Sequence, residues 1–215
     1  MKKLLIVLMF LAAPAVANAQ VIVAKAPVTP SNPCTPTSCT GAYVGGFIAG
    51  NGTNADIVGS GLSGSVFAGG GIPGGVVGYQ FANGTYFLAG EAGMGWQVNV
   101  GGSVNGLATN ETGYLAYEGV KVGGQIAGLL GTQASTTIPT ALVSRLISPY
   151  VIVGAVERPF ANGWMTGAGA TFDLSNTLFL DIGYKYINYG AATAGNLQFN
   201  SENLVTVGFN YKFNF

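Results

Sequence analysis

The chain has no histidine and very little charge. Of its 215 residues, 7% are charged, compared with about 25% in an average soluble domain. Without histidine, Ser-His and Asp-His catalysis are excluded, so we expect the protein not to be an enzyme. The balance of 8 basic and 8 acidic residues excludes the basic surface of a nucleic-acid-binding protein. So few charges also do not cover the surface of an ordinary soluble globule.

Cofactor and metal motifs are missing as well. Gly69, Gly71 and Gly74 have the spacing of a dinucleotide-binding loop, but Pro73 lies inside the motif and no helical pattern follows it. The chain has 2 cysteines, which are too few for a zinc site with its four ligands. We therefore expect no catalytic residue, no cofactor and no bound metal.

Beyond the first twenty residues, no apolar run reaches the length of about 20 residues that a membrane-spanning helix needs. The N-terminus carries two lysines, an apolar stretch over residues 4–13 and an Ala-Asn-Ala pattern that ends at residue 19. This order is typical of a secretory signal peptide. We predict that residues 1–19 are cleaved, that the mature chain begins at Gln20, and that the protein is exported.

Residues 20–40 are predicted to form a linker, because prolines interrupt any helix or strand there. Cys34 and Cys39 lie in this segment and are the only cysteines of the chain. Export takes them into an oxidising compartment, where cysteines that lie close in sequence commonly pair. We predict a Cys34–Cys39 disulfide with a structural role.

From residue 41 onward, apolar residues alternate with small or polar ones, which is the pattern of β-strands. The C-terminal segment is the clearest case, and its apolar face consists of Val205, Val207, Phe209, Tyr211, Phe213 and Phe215. The predicted strands are about 10 to 14 residues long, whereas strands of soluble sheets average about five or six. Their apolar faces end in aromatic residues, as the girdles of membrane barrels do.

The two faces of these strands are inverted relative to a soluble sandwich, whose outer face carries more Lys and Glu. Glycine and small polar residues fill the face opposite the bulky one, with isolated charges at Glu91, Asp181 and Lys185. This places the bulky apolar face in lipid and the polar face in a narrow interior. Because backbone groups in lipid must all be hydrogen-bonded, the sheet has to close. We predict that residues 41–215 form an all-β, closed antiparallel transmembrane β-barrel.

The alternation predicts eight strands, over residues 41–51, 72–82, 84–98, 112–126, 146–157, 163–172, 176–189 and 202–215. Tight connections at 82–84 and 173–176 are expected at the periplasmic end. The longer loops 52–71, 99–111 and 190–201, and the short connection 158–162, are expected to face outward. Residues 127–145 then form an unusually long periplasmic connection. A ten-stranded alternative uses 56–68 and 128–138 as additional strands.

The pattern resembles the small outer-membrane β-barrel proteins of Gram-negative bacteria, most closely the porin-like surface antigens related to the OmpA membrane domain. The matching stretches are TGAYVGG (40–46), GGVVGYQF (74–81), GWMTGAG (163–169), DIGYKY (181–186) and VGFNYKFNF (207–215). The resemblance covers residues 41–215 and implies a location in the outer membrane. It also implies that Glu91 faces the lumen and that the terminal Phe215 is presented to the barrel-assembly machinery.

The chain departs from that family in its low charge. Family members carry more Arg and Asp inside the barrel, notably in the fourth strand. Here that strand offers Glu118 and Lys121, which alternation places on opposite faces. Within a narrow interior, polar groups satisfy one another. We expect Glu91 and Asp181 to pair with Lys121, Lys185 or a neighbouring hydroxyl group.

We therefore expect an integral outer-membrane protein with a structural, envelope-integrity or surface-interaction role. The alternative is a narrow porin-like channel for water, ions or small solutes, because inward residues such as Gly167 and Gly183 leave volume. Inward Phe87 and Phe179 would block that path. The expected partners are outer-membrane lipids and lipopolysaccharide and, during biogenesis, the barrel-assembly machinery and periplasmic chaperones. We expect a monomer.

Overall fold

The computed structural model describes residues 35–57, 65–99, 102–104, 107–109, 113–126, 147–159, 161–194 and 197–213. The elements in these ranges are strands: β1 (Gly41–Ile57), β2 (Ser65–Ala82), β3 (Tyr86–Trp96), β4 (Val98–Asn99), β5 (Gly102–Val104), β6 (Leu107–Thr109), β7 (Tyr114–Gly124), β8 (Ile147–Glu157), β9 (Asn162–Asp173), β10 (Leu178–Ala194) and β11 (Leu197–Lys212). Within these ranges, no helix has the length and apolar character that crossing a membrane requires.

Eight of the strands form one closed antiparallel sheet. The order around the sheet is β1, β11, β10, β9, β8, β7, β3 and β2, and β2 pairs again with β1. Strand β4 continues beside β2 where β3 ends, and β5 and β6 form a separate hairpin. The prediction of an all-β, closed, eight-stranded barrel is confirmed.

The ten-stranded alternative is wrong in the first strand that it adds. Residues 56–57 belong to β1 and residues 65–68 belong to β2, so that stretch supplies the ends of two barrel strands. The second added strand, residues 128–138, lies outside the described residues, as does the whole connection 127–145.

The lower end of the barrel, where β1 begins and β11 ends, carries two tight turns. They join β2 to β3 and β9 to β10, at the two places where tight connections are predicted. In the first turn Gly84 has a φ of 88°, a left-handed conformation that glycine adopts without strain. The side-chain oxygen of Asn83 accepts a hydrogen bond of 2.9 Å from the backbone N–H of Tyr86. In the second turn the Ser175 hydroxyl accepts one of 3.0 Å from the Leu178 N–H.

At the upper end, opposite the first, the barrel wall is taller on one side. Strands β10, β11, β1 and β2 are neighbours and have 17, 16, 17 and 18 residues, whereas β3, β7, β8 and β9 have 11 or 12. The taller side therefore rises roughly five residues, or about 12 Å, above the other. We call these added upper ends of β10, β11, β1 and β2 the upper wall.

The prediction that residues 52–71 and 190–201 form loops is wrong over most of their length, because most of these residues belong to the strands that build the upper wall. Their glycine, alanine and asparagine residues have little preference for strands when judged alone. Residues 53–56 nevertheless pair with β11 on one side and β2 on the other. A ladder with partners on both sides satisfies backbone groups whatever the side chains are.

The outer surface of the barrel is an apolar band. Ile48, Val153 and Phe209 are 68%, 58% and 61% exposed. Residues of these types are usually buried in a protein core. Aromatic residues border the band, with Tyr79, Phe81, Tyr86, Tyr211 and Phe213 below and Trp96, Tyr114, Trp164, Tyr184 and Tyr186 above. Along β3 the borders are ten residues apart, which corresponds to about 25 Å of barrel height.

Glycine makes the narrow interior possible, because it leaves room for aromatic rings. Gly93 faces inward, and a Cβ atom at this position would overlap the buried ring of Tyr117, approaching its Oη atom to 2.7 Å. Gly90 lies on the same strand but faces outward, and a Cβ atom there would meet no atom within 4 Å.

These two glycines provide a matched test of the packing. Gly93→Ala is expected to lower the free energy of unfolding by about 1–3 kcal/mol, because the Tyr117 ring is enclosed and cannot move aside. Gly90→Ala is expected to change it by less than about 0.5 kcal/mol. The measurement is the urea midpoint of the refolded barrel in lipid vesicles. Equal midpoints for the two variants would contradict the tight interior.

Candidate functional site

The centre of the barrel holds a buried cluster of opposite charges. The Lys121 ammonium lies 2.5 Å from Glu91 Oε2 and 2.8 Å from Asp181 Oδ2. Lys121 lies on β7, Glu91 on β3 and Asp181 on β10. Each occupies an inward-facing position in the alternation of its strand, so its side chain points to the barrel axis. All three residues are less than 10% exposed. One cation is thus shared between two carboxylates that come from different parts of the wall.

Three tyrosines complete the hydrogen bonding of this cluster. Tyr43 donates to Glu91 Oε2 and Tyr117 donates to Glu91 Oε1, each at 2.9 Å. Tyr150 donates to Asp181 Oδ1 at 2.7 Å. Every carboxylate oxygen of the pair therefore has a donor, which is the condition under which buried charge is tolerated. We call these six residues (Tyr43, Glu91, Tyr117, Lys121, Tyr150 and Asp181) the central cluster.

Lys185 lies beside the central cluster. Its ammonium group lies 4.3 Å from the ring centroid of Tyr117, a cation–π distance, and the residue is 4% exposed. It lines a cavity of about 20 Å³ together with Thr206 and Asn210. A cavity of that size has room for about one water molecule. With Lys185 included, two cations face the two carboxylates, so the interior is electrically balanced.

A second polar layer closes the interior near the upper end. Arg158 follows β8 and forms an ion pair with Glu202 of β11, and both side chains are at most 1% exposed. Arg158 also donates to Gln97 Oε1 at 2.9 Å. Glu202 accepts further hydrogen bonds from Tyr189 and from Asn51, the latter at 2.9 Å. We call this group the upper layer.

The lower mouth is closed by the chain itself. Residues 35–40, which we call the mouth segment, lie within the strand ends with Thr37 3% exposed. The Gln80 amide lies 3.0 to 3.3 Å from the carbonyl oxygens of residues 36, 37 and 39. Lys212 donates to the carbonyl oxygens of residues 36 and 39, and Thr37 donates to Asp173 Oδ2 at 2.5 Å.

The structure places the residues singled out from the sequence as follows. Glu91, Lys121 and Asp181 meet in the central cluster, and Lys185 lies next to it. Cys39 is buried, whereas Cys34 and Phe215 lie outside the described residues. The Cys34–Cys39 pairing and the assembly role of Phe215 stay predictions.

Sequence reasoning named Lys121 as a partner of Glu91 and Asp181 but did not name the tyrosines that donate to them. Tyr117 shares the inward parity of Lys121 on β7, so parity is a signal that could have found it, whereas Tyr43 and Tyr150 lie on β1 and β8, which carry none of these three charges. Glu202 likewise continues the inward face of β11. Arg158 carries no such signal, because it lies in a turn rather than a strand.

The chemistry of the central cluster is that of a satisfied network. The carboxylates are held by donors, and the hydroxyl groups near them belong to tyrosines that donate to those carboxylates. Among the described residues, no group of three or more Cys, Asp or Glu side chains has the arrangement of a metal site. The arrangement favours rigidity and closure.

No family model and no curated protein matches the chain. Among solved structures it is similar to Neisserial surface protein A, with 16% identity and a TM-score of 0.45 over 80% of this chain and 97% of that one. It is also similar to the outer membrane protein AlkL, with 14% identity and a TM-score of 0.47 over 90% and 98%. It is similar as well to the attachment invasion locus protein of Yersinia pestis, with 13% identity and a TM-score of 0.39 over 80% of this chain and 99% of that one. At these values the likenesses say nothing about activity.

Removing the shared cation tests whether the central cluster supports the fold. Lys121→Met is expected to lower the free energy of unfolding by about 3–5 kcal/mol, because it leaves two buried carboxylates with only the Lys185 ammonium beside them. The double variant Lys121→Met and Asp181→Asn is expected to regain most of the loss, since Glu91 is then balanced by Lys185 and no buried charge is in excess. Glu157→Gln, at an exposed position, is the control. A double variant as unstable as Lys121→Met would contradict the electrostatic explanation.

Removing the Gln80 amide tests what holds the mouth segment. Gln80→Leu is expected to speed amide hydrogen exchange of residues 37–40 by about tenfold, because three carbonyl oxygens lose a buried donor. Exchange in the barrel strands is expected to stay unchanged. Phe81→Leu, the outward neighbour, is the control. Slow exchange in Gln80→Leu would mean that Lys212 and Asp173 hold the segment without Gln80.

Proposed function

We propose that the protein is an integral protein of the Gram-negative outer membrane. The apolar band supports this, because its height of about 25 Å equals that of the lipid-facing band of outer-membrane barrels. The closed ladder supports it as well, since a barrel leaves no unpaired edge in hydrocarbon. The aromatic borders then lie at the two membrane interfaces, and the signal peptide predicted for residues 1–19 provides the export route.

Within the membrane we propose that the lower end faces the periplasm and the upper wall faces outward. The short turns and the mouth segment are at the lower end, and the tall side of the barrel is at the other. Small outer-membrane barrels have short periplasmic turns and longer extracellular parts. The upper wall then stands about 12 Å above the rest of the barrel, where it is accessible to lipopolysaccharide or to other cells.

We propose that the protein has a structural or surface-interaction role and does not act as a channel. The observation that carries this proposal is that hydrogen-bonded side chains cross the interior at three heights, in the upper layer, the central cluster and the mouth segment. An eight-stranded barrel has an interior just wide enough for its own side chains, so one such layer is enough to block it. The function then lies on the outer and upper surfaces.

Planar-bilayer recording of the refolded mature chain tests the closed interior. The expected result is a folded barrel without steady openings, because ions would have to displace buried ion pairs. Heat-modifiable gel mobility establishes that the barrel has folded, and a large-pore porin in the same bilayers shows that the recording detects channels. Steady and reproducible openings would overturn the proposal and favour the narrow porin-like channel.

A further inference from the structure

Among the residues that the structure describes, one charged side chain lies on the apolar outer band. Glu118 of β7 is exposed and has neither an ion pair nor a hydrogen bond among the interactions of the described residues. Its strand neighbours are Ala92 on β3 and Ala155 on β8. The parity that brings Lys121 to the axis turns this carboxyl group away from it.

Glu118 lies within the band rather than at its border. Along β7 it is four residues from Tyr114 at the upper border and six from Gly124, the partner of Tyr86 at the lower border. With the rise and tilt of barrel strands these separations correspond to about 10 Å and about 15 Å of height. A glutamate side chain is too short to carry its carboxyl group across either distance to water.

The side chains that surround Glu118 on the outer surface are small. Ala92, Ala116, Ala155 and Thr166 surround it on β3, β7, β8 and β9, whereas Trp96 and Trp164, 59% and 53% exposed, stand at the rim above. Small residues let another backbone approach closely, as they do between membrane helices. The carboxyl group therefore lies in a shallow depression that a second wall can enter.

The charge pattern limits what fills this depression. Hydrocarbon does not solvate an ionised carboxylate, so a carboxyl group there is stable when it is neutral and hydrogen-bonded. Acyl chains offer no donor or acceptor. The outer face of a second copy offers no cation either, since Lys121, Arg158, Lys185 and Lys212, the basic residues of the described ranges, are all buried. What a second copy does offer is another Glu118.

Symmetry then brings the two groups together. Two copies inserted in the same direction are related by a two-fold axis along the membrane normal, and such an axis places identical residues at identical depth. We propose that β3, β7 and β8 form the interface of a homodimer in which the two Glu118 carboxyl groups hydrogen-bond to each other. This inference rests on the proposed membrane location and replaces the expected monomer.

The test compares variants of the refolded full-length mature chain in phosphatidylcholine vesicles, by single-molecule photobleaching. Wild type is expected to give two-step traces. Glu118→Leu, which fits hydrocarbon but cannot hydrogen-bond, is expected to lower the dimer association constant by about tenfold. Glu118→Gln, whose amide pairs with a second amide, is expected to keep the dimer. Glu157→Gln, at the rim, is the matched control and is expected to match wild type.

Thiol cross-linking locates the interface. Ala116→Cys is expected to give a dimer with a short bismaleimide, and Val207→Cys, on β11 across the barrel, is expected not to. Folded, inserted wild type that is monomeric, or equal dimerisation of Glu118→Leu, would overturn the dimer and leave the membrane location standing. Failure to float with vesicles or to shift in heat-modifiable mobility would overturn the location and the dimer together.

Discussion

The rest of the structure depends on how the ladder closes. We can start at Leu88 of β3 and step from each residue to its partner on the next strand until the path has gone once around the barrel. The path ends at Val98 of β4, which pairs with the same side of β2 as β3 does and lies ten residues beyond Leu88 in the chain. For eight strands, this offset sets the tilt and the diameter together. It also decides which inward side chains share a height, and hence that Lys121 meets carboxylates from β3 and β10.

The sequence was sufficient for the parts of the fold that alternate. Period-two patterning assigned Glu91, Asp181 and Lys185 to the inner face without any knowledge of their partners. It was insufficient where position depends on closure. The upper wall is held by ladder partners distant in sequence, and the docking of residues 35–40 depends on Gln80 and Lys212, which meet only in the finished barrel.

The distribution of charge is the reverse of that in a soluble protein. Each Lys and Arg side chain in the described ranges lies inside, in contact with a carboxylate, an aromatic ring or backbone carbonyl oxygens. The outer band is then left almost uncharged, and Glu118 is conspicuous because it breaks that division. The low total charge of the chain follows, since a narrow interior has room for only a few ion pairs.

The mouth segment has a consequence for the order of assembly. Its anchors belong to β2, β9 and β11, so its binding site is complete only when the last strand has joined the first. A ribosome makes these residues before any strand of the barrel, yet all of their anchors are in place only after the last strand has formed. Docking of the mouth segment therefore indicates that the barrel has closed.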